Sequence, residues 1–99
     1  MAFEICPGEA PDVFLLEGEL DVATAGRLDP LLEMTDREIV LDVERLTFID
    51  SSGLRAVLRL ALEHDDDRPV TLRRPSSVAR RVLELTVPDG VPGLRIVED

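Results

Sequence analysis

Residues 48–54 of this 99-residue chain read Phe48-Ile49-Asp50-Ser51-Ser52-Gly53-Leu54, an apolar run, two adjacent serines behind an aspartate, a glycine and a return to apolar residues. Strand end, polar loop and helix start are compressed into seven positions. Ser and Asp oxygens at such a place accept backbone N–H groups that have no partner inside the helix, so capping is the plainest role for Asp50 and Ser51. The same free N–H groups and the positive end of the helix dipole favour an added anion, which makes a serine hydroxyl there a suitable phosphate acceptor.

A serine at a strand-to-helix turn is also where a nucleophile can sit. Only His64 could serve as its histidine base. If both residues share one helix, their separation is roughly 18 Å, and no G-x-S-x-G elbow is present. No enzymatic activity is expected. The run Asp65-Asp66-Asp67 lacks the alternating ligands and the glycine of a calcium loop, and one cysteine, Cys6, with one histidine makes no soft metal set. Neither a metal nor another cofactor is implied. Cys6 is expected as a buried strand residue.

The formal charge of −10 argues against direct nucleic-acid binding and against an anionic membrane surface. Charge is uneven, with net −9 in residues 1–49 and net −1 in residues 50–99, which fits either an acidic half that faces a basic protein partner or a solvated surface that keeps the protein in solution. The pairs Arg73-Arg74 and Arg80-Arg81 have no interleaved aromatics and read as ordinary surface. There is no apolar stretch long enough to span a bilayer, and MAFEICPGEA lacks the basic and apolar parts of a secretory signal, so no membrane insertion and a cytoplasmic location are expected.

The elements that must position the motif follow from periodicity. Phe3 to Cys6 and Asp12 to Gly18 read as two strands of a hairpin around Pro7, Gly8 and Pro11. Ala25, Leu28, Leu31 and Leu32 recur at helical spacing, with Gly26 weakening the segment and Asp29-Pro30 predicting a kink or a restart. Glu38 to Val43 is a β-branched run too short for a helix, and Leu46 to Ile49 continues toward a loop, so a buried strand delivers the chain to Asp50. The clearest helix follows, with an apolar stripe expected at Leu54, Val57, Leu58, Ala61 and Leu62 and with Arg55, Arg59 and Glu63 opposite. His64 to Arg68 is a polar loop, Pro69 to Leu72 a strand, Pro75-Ser76-Ser77 opens a helix carrying Val78, Val82 and Leu85, and Leu94 to Val97 is a last strand. The order β, β, α, β, α, β, α, β predicts one α/β domain over residues 1–99, a small, mostly parallel sheet begun by an antiparallel pair, with right-handed crossovers.

With these elements in place, Asp50-Ser51-Ser52-Gly53-Leu54 resembles the phosphorylation loop of STAS domains of the bacterial anti-sigma factor antagonists. Gly18-Glu19-Leu20-Asp21 followed by Ala23-Thr24-Ala25 is similar to the family's stretch between the second strand and the first helix. The resemblance runs from Asp12 to Leu85 and more loosely to Val97; it departs at Gly26 and Pro30, and the C-terminal amphipathic helix usual in the family is missing before Asp99. It implies the STAS fold and a partner-switching regulator of transcription. The unphosphorylated domain would bind an anti-sigma factor that is also a serine kinase, phosphorylation would end the binding, and a serine phosphatase would reverse it. By position the phosphoacceptor is Ser52, with Asp21, Thr24, Asp50, Ser51, Gly53, Leu54 and Arg55 forming the acceptor loop and partner contact. Arg55 could pair with the phosphate, Ser51 would be the neighbouring cap, and Gly53 would let a partner backbone approach closely. The alternative within the same fold is a non-switching regulatory or assembly subunit of a signalling complex or of a lipid-transport ABC system.

Overall fold

A computed structural model describes residues 3–31, 38–63, 69–87 and 93–98. Strands β1 (Phe3–Pro7), β2 (Val13–Leu20), β3 (Ile39–Ile49), β4 (Val70–Arg73) and β5 (Leu94–Val97) form one sheet in the order β1-β2-β3-β4-β5. The first pair is antiparallel and the rest are parallel, as the hairpin and the alternating pattern predict. A 3₁₀ helix spans Ala25–Leu28, and the α-helices are α1 (Ser51–Glu63) and α2 (Ser77–Thr86). The expected break is visible: the 3₁₀ helix closes with the Asp29 N–H on the Gly26 carbonyl at 3.3 Å, one residue before Pro30. Leu32 and the loop His64 to Arg68 lie outside the described residues.

Residues paired across neighbouring strands point to the same side of a sheet. Ile5 opposite Leu16, Phe14 opposite Leu41 and Leu41 opposite Leu72 therefore mark one face. Every strand residue of the hydrophobic core belongs to it, and Leu54, Val57, Leu60 and Ala61 of α1 and Ala79 and Leu83 of α2 join the same cluster. Both helices thus cover a single face, as crossovers of one hand along a one-way strand order require.

The opposite face carries Cys6, Leu15, Glu17, Asp42, Arg45 and Arg73, as the register places them. Cys6 is consequently half-buried there rather than in the core. Partial burial, and the carboxylates of Glu17 and Glu4 beside it, push its thiol pKa up. Among the described residues, Asp42 is the buried charge of this face. Its Oδ2 accepts from Arg73 Nε at 3.2 Å and Arg74 Nε at 3.0 Å, its Oδ1 accepts from the Glu44 N–H at 3.1 Å, and Arg73 Nη2 reaches on to Glu9 Oε1 at 3.1 Å. Arg73 and Arg74 are thereby neutralised, and Arg80 pairs with Glu98.

As expected, β3 runs on through Glu44 and Arg45 and delivers the chain to Asp50; two bulges, between its pairings to Leu15 and Glu17 and to Gly18 and Glu19, absorb residues that break the alternation. Two local expectations are corrected. In α1 the buried stripe includes Leu60, while Leu62 is 74% exposed. In α2 Ala79 and Leu83 are buried, whereas Val78 and Leu85 face out and Val82 is partly buried against the core.

Candidate functional site

β2 and β3 outrun β4: the β3–β4 pairing ends at Asp42, while the β2–β3 pairing continues to Leu20 opposite Ile49. Both motifs begin where this two-stranded extension stops, at the carboxyl ends of parallel strands, where sites of open α/β sheets are usually found. Gly18, at a φ of 98°, sits at the last bulge, where a left-handed backbone is needed, and its carbonyl accepts from Thr47 Oγ1 at 3.2 Å.

The Asp21 turn is tied by side chains. Asp21 Oδ1 accepts from the N–H groups of Ala23 at 3.0 Å and Thr24 at 3.2 Å, and the Thr24 hydroxyl donates to the Glu19 carbonyl and accepts from the Asp21 N–H, each at 2.9 Å. Asp21 and Thr24 are thus the two ends of one knot that holds the chain as it leaves β2.

The second turn is held by Asp50. Its Oδ1 accepts from the Gly53 N–H at 2.9 Å, and its carbonyl accepts from the Leu54 N–H at 2.9 Å, which is the geometry of a helix N-cap. Asp50, not Ser51, is therefore the cap of α1. Ser51 is exposed, Ser52 half-buried and Arg55 exposed in the first turns of α1. Leu54 is 2% exposed and anchors the helix in the core, so it offers a partner no surface.

Gly53 is buried too, and its role differs from the one expected. A Cβ at Gly53 would lie 2.2 Å from the Leu20 carbonyl oxygen and 2.9 Å from its carbonyl carbon. The backbone that approaches Gly53 is the chain's own, at the end of β2. The Asp50 N–H donates to the same Leu20 carbonyl at 3.3 Å. Leu20 thereby joins the Asp21 turn to the Ser52 helix end, which sequence reading missed because a carbonyl carries no side-chain signal. Two exposed apolar residues were missed as well: Val22, 77% exposed inside the Asp21 turn, and Phe48, two residues before Asp50. A lone valine inside the Asp21–Thr24 turn was the available signal for the first.

None of the motif residues lines a cavity of about 300 Å³ on the open sheet face, which is bounded by Leu15, Leu16, Asp42, Glu44, Arg45 and Arg74. On that face, too, Glu4, Cys6 and Glu17 bring ligand atoms within 4.8 Å of one another. Around Ser52, the described residues supply caps and exposed side chains, an arrangement able to accept a group or a partner.

Comparison with known proteins agrees with this geometry. No curated protein matches the chain. Among solved structures, the anti-sigma factor antagonist SpoIIAA in its unphosphorylated form is 24% identical, with a TM-score of 0.62 over 94% of this chain and 86% of that one. A Thermotoga maritima protein provisionally assigned as an anti-sigma factor antagonist is 21% identical, with a TM-score of 0.74 over 98% and 86%. An uncharacterised Shewanella loihica protein of the DUF3478 family with a SpoIIAA-like fold is 18% identical, with a TM-score of 0.54 over 99% and 85%. These likenesses establish the SpoIIAA-like fold. The family model described as Mlab, STAS domain matches residues 8–97, and the chain belongs to the STAS domain family.

Proposed function

We propose that this chain is an anti-sigma factor antagonist that binds an anti-sigma factor with serine kinase activity while Ser52 is unmodified, and that phosphorylation of Ser52 by that kinase ends the binding. A serine phosphatase resets the cycle, and the protein works in the cytoplasm as a phosphoacceptor rather than an enzyme. The observation that carries this reading is the position of Ser52: half-buried in the first turn of α1, behind a cap supplied by Asp50, with exposed Ser51 and Arg55 beside it. The SpoIIAA-like fold supports it further.

The physics suits a local switch. A phosphate adds roughly −1.5 to −2 charges at pH 7. At the N-terminus of α1 it is tolerated by the dipole and by helix N–H groups that have no intrahelical acceptor. Arg55, one helical turn on, is placed to pair with it. Beside Asp21 and Asp50 the added charge and bulk obstruct close packing against exposed Val22 and Phe48.

The test is to incubate the protein with the ATP-dependent serine kinase recovered in a native pull-down, locate phosphate by mass spectrometry, and repeat the binding with the modified form. Phosphate on Ser52 with binding lost is expected. Ser52→Ala should bind constitutively and Ser52→Asp poorly. Stable binding that ignores modification would sink the proposal in favour of a second reading, a non-switching regulatory or assembly subunit of a signalling complex or a lipid-transport ABC system. The Mlab description of the matching family model, which is not that of an antagonist, favours that second reading.

A further inference from the structure

The Asp21 turn and the Ser52 helix end come from segments thirty residues apart, yet one backbone group serves both. The Leu20 carbonyl accepts the Asp50 N–H at 3.3 Å and lies where a Cβ on Gly53 would sit, 2.2 Å from its ideal position. Real Cβ atoms do not approach a carbonyl oxygen that closely, and although the Leu20 Cγ is also 2.9 Å away, the two carbonyl atoms are backbone, so a side-chain rotation does not relieve the clash. The next residue along β2 is Asp21, whose N–H is held by Thr24 Oγ1. On the other side, the Gly53 N–H is held by Asp50 Oδ1. The two knots therefore meet at Leu20 with nothing flexible between them.

We infer that Gly53 is a positioning residue: by admitting the Leu20 carbonyl against the first turn of α1, it fixes Ser52 relative to the Asp21–Thr24 turn, so that the two turns present one rigid surface to a partner. This deepens the reading of Ser52 as the modified residue and rests on it for its purpose, although the coupling itself is a property of the free protein. The exposed Val22 side chain belongs to the surface so held. A partner then meets Val22 and Ser52 at a fixed spacing, without the ordering cost that two independent loops would impose on binding.

The coupling is testable in the unmodified protein without any partner, from amide resonances of the full chain. Gly53→Ala should move the amides of Ala23 and Thr24, which lie beyond the Leu20–Asp21 peptide group that the new Cβ strikes directly. Gly26→Ala is the control, because a Cβ there meets nothing within 4 Å, and it should leave the amides of Ser51, Ser52 and Gly53 where they are. Should Gly53→Ala fail to fold, Thr24→Val approaches from the other side: it deletes the hydroxyl bonds to Glu19 and Asp21 and should move the amides of Ser52 and Gly53. A contact that merely stabilised the fold would lower the melting temperature and leave the native resonances across the contact unmoved; that result, with either variant, overturns the inference. The two proposals fail separately. Cross-contact shifts in a protein whose Ser52 is never phosphorylated support the coupling and remove the switch, whereas phosphorylation of Ser52 without such shifts keeps the switch and removes the coupling.

Discussion

The N–H of Asp50 is bonded to the carbonyl of Leu20 while the carboxylate of Asp50 caps the Gly53 N–H, so a single residue both closes β3 against β2 and starts α1. Replacing Asp50 by alanine leaves the first relationship, a backbone bond, in place and removes the second. Asp50→Ala is therefore expected to lower the unfolding free energy by about 1 kcal/mol, and Asp50→Asn to recover most of it, because asparagine caps about as well as aspartate. Urea denaturation of the three proteins checks this. Equal loss for both substitutions would mean that the carboxylate's charge, not its capping oxygen, is what matters.

The helix faces offer a sharper comparison. Leu60 is 1% exposed in the core and Leu62 is 74% exposed, two residues further along the same helix. Leu60→Ala should cost about 2–5 kcal/mol, since it removes buried methyl groups and leaves a cavity. Leu62→Ala should change stability by no more than about 0.5 kcal/mol. A large loss at Leu62 would restore the stripe that the sequence suggested.

That pair also shows where the sequence was readable. The order of elements, the opening hairpin and the break at Asp29-Pro30 follow from short-range signals, namely β-branched runs, turn residues and a proline. The rotation of α1 does not, because Leu54, Leu58, Leu60 and Leu62 leave apolar residues on more than one side, and packing against the sheet chooses among them. The same holds for α2, whose buried Ala79 is smaller than its exposed Val78. At the candidate site the side-chain motifs were legible and their joint was not: Gly53 announces a close approach, but whose backbone approaches is a tertiary fact. The strand that delivers the chain to Asp50 was legible, but the bulges that carry β3 through Glu44-Arg45 were not, because a period of two does not show them.

If the switch acts locally, the substitution that mimics it should leave the fold intact. Ser52 stands in the first turn of α1, where a negative charge meets the positive end of the helix dipole. Ser52→Asp is expected to leave the unfolding free energy unchanged or to raise it by about 0.3–1 kcal/mol, with an unaltered circular dichroism spectrum. Thermal denaturation at low ionic strength is the measurement. A lowered melting temperature would mean that binding is lost through damage to the fold and not through charge at the docking surface.

Acid sensitivity should trace to the open sheet face. The Arg73 hydrogen bond holds the Glu9 carboxyl down to about 2 from its ordinary 4.5. Burial pushes the Asp42 carboxyl up, but hydrogen bonds from Arg74, the Glu44 N–H and Arg73 outweigh it and leave the group below the usual carboxylate range. Both folded values lie below the unfolded ones, so the unfolded chain binds more protons as acid is added. The stabilisation is complete above about pH 4.5 and is lost as pH falls from there toward about 2. Glu9 is largely exposed, so Glu9→Gln should flatten this limb slightly, and salt should weaken its share. Asp42→Asn removes the buried counter-charge of Arg73, whose side chain is 16% exposed and which keeps its exposed partner Glu9, and should cost about 1–3 kcal/mol at pH 7. Urea unfolding between pH 7 and pH 2.5 separates the two. A wild-type limb that survives unchanged in both variants would place the acid-labile groups elsewhere, whereas its loss in Asp42→Asn assigns it to the pairing that fixes the end of β4 against β3.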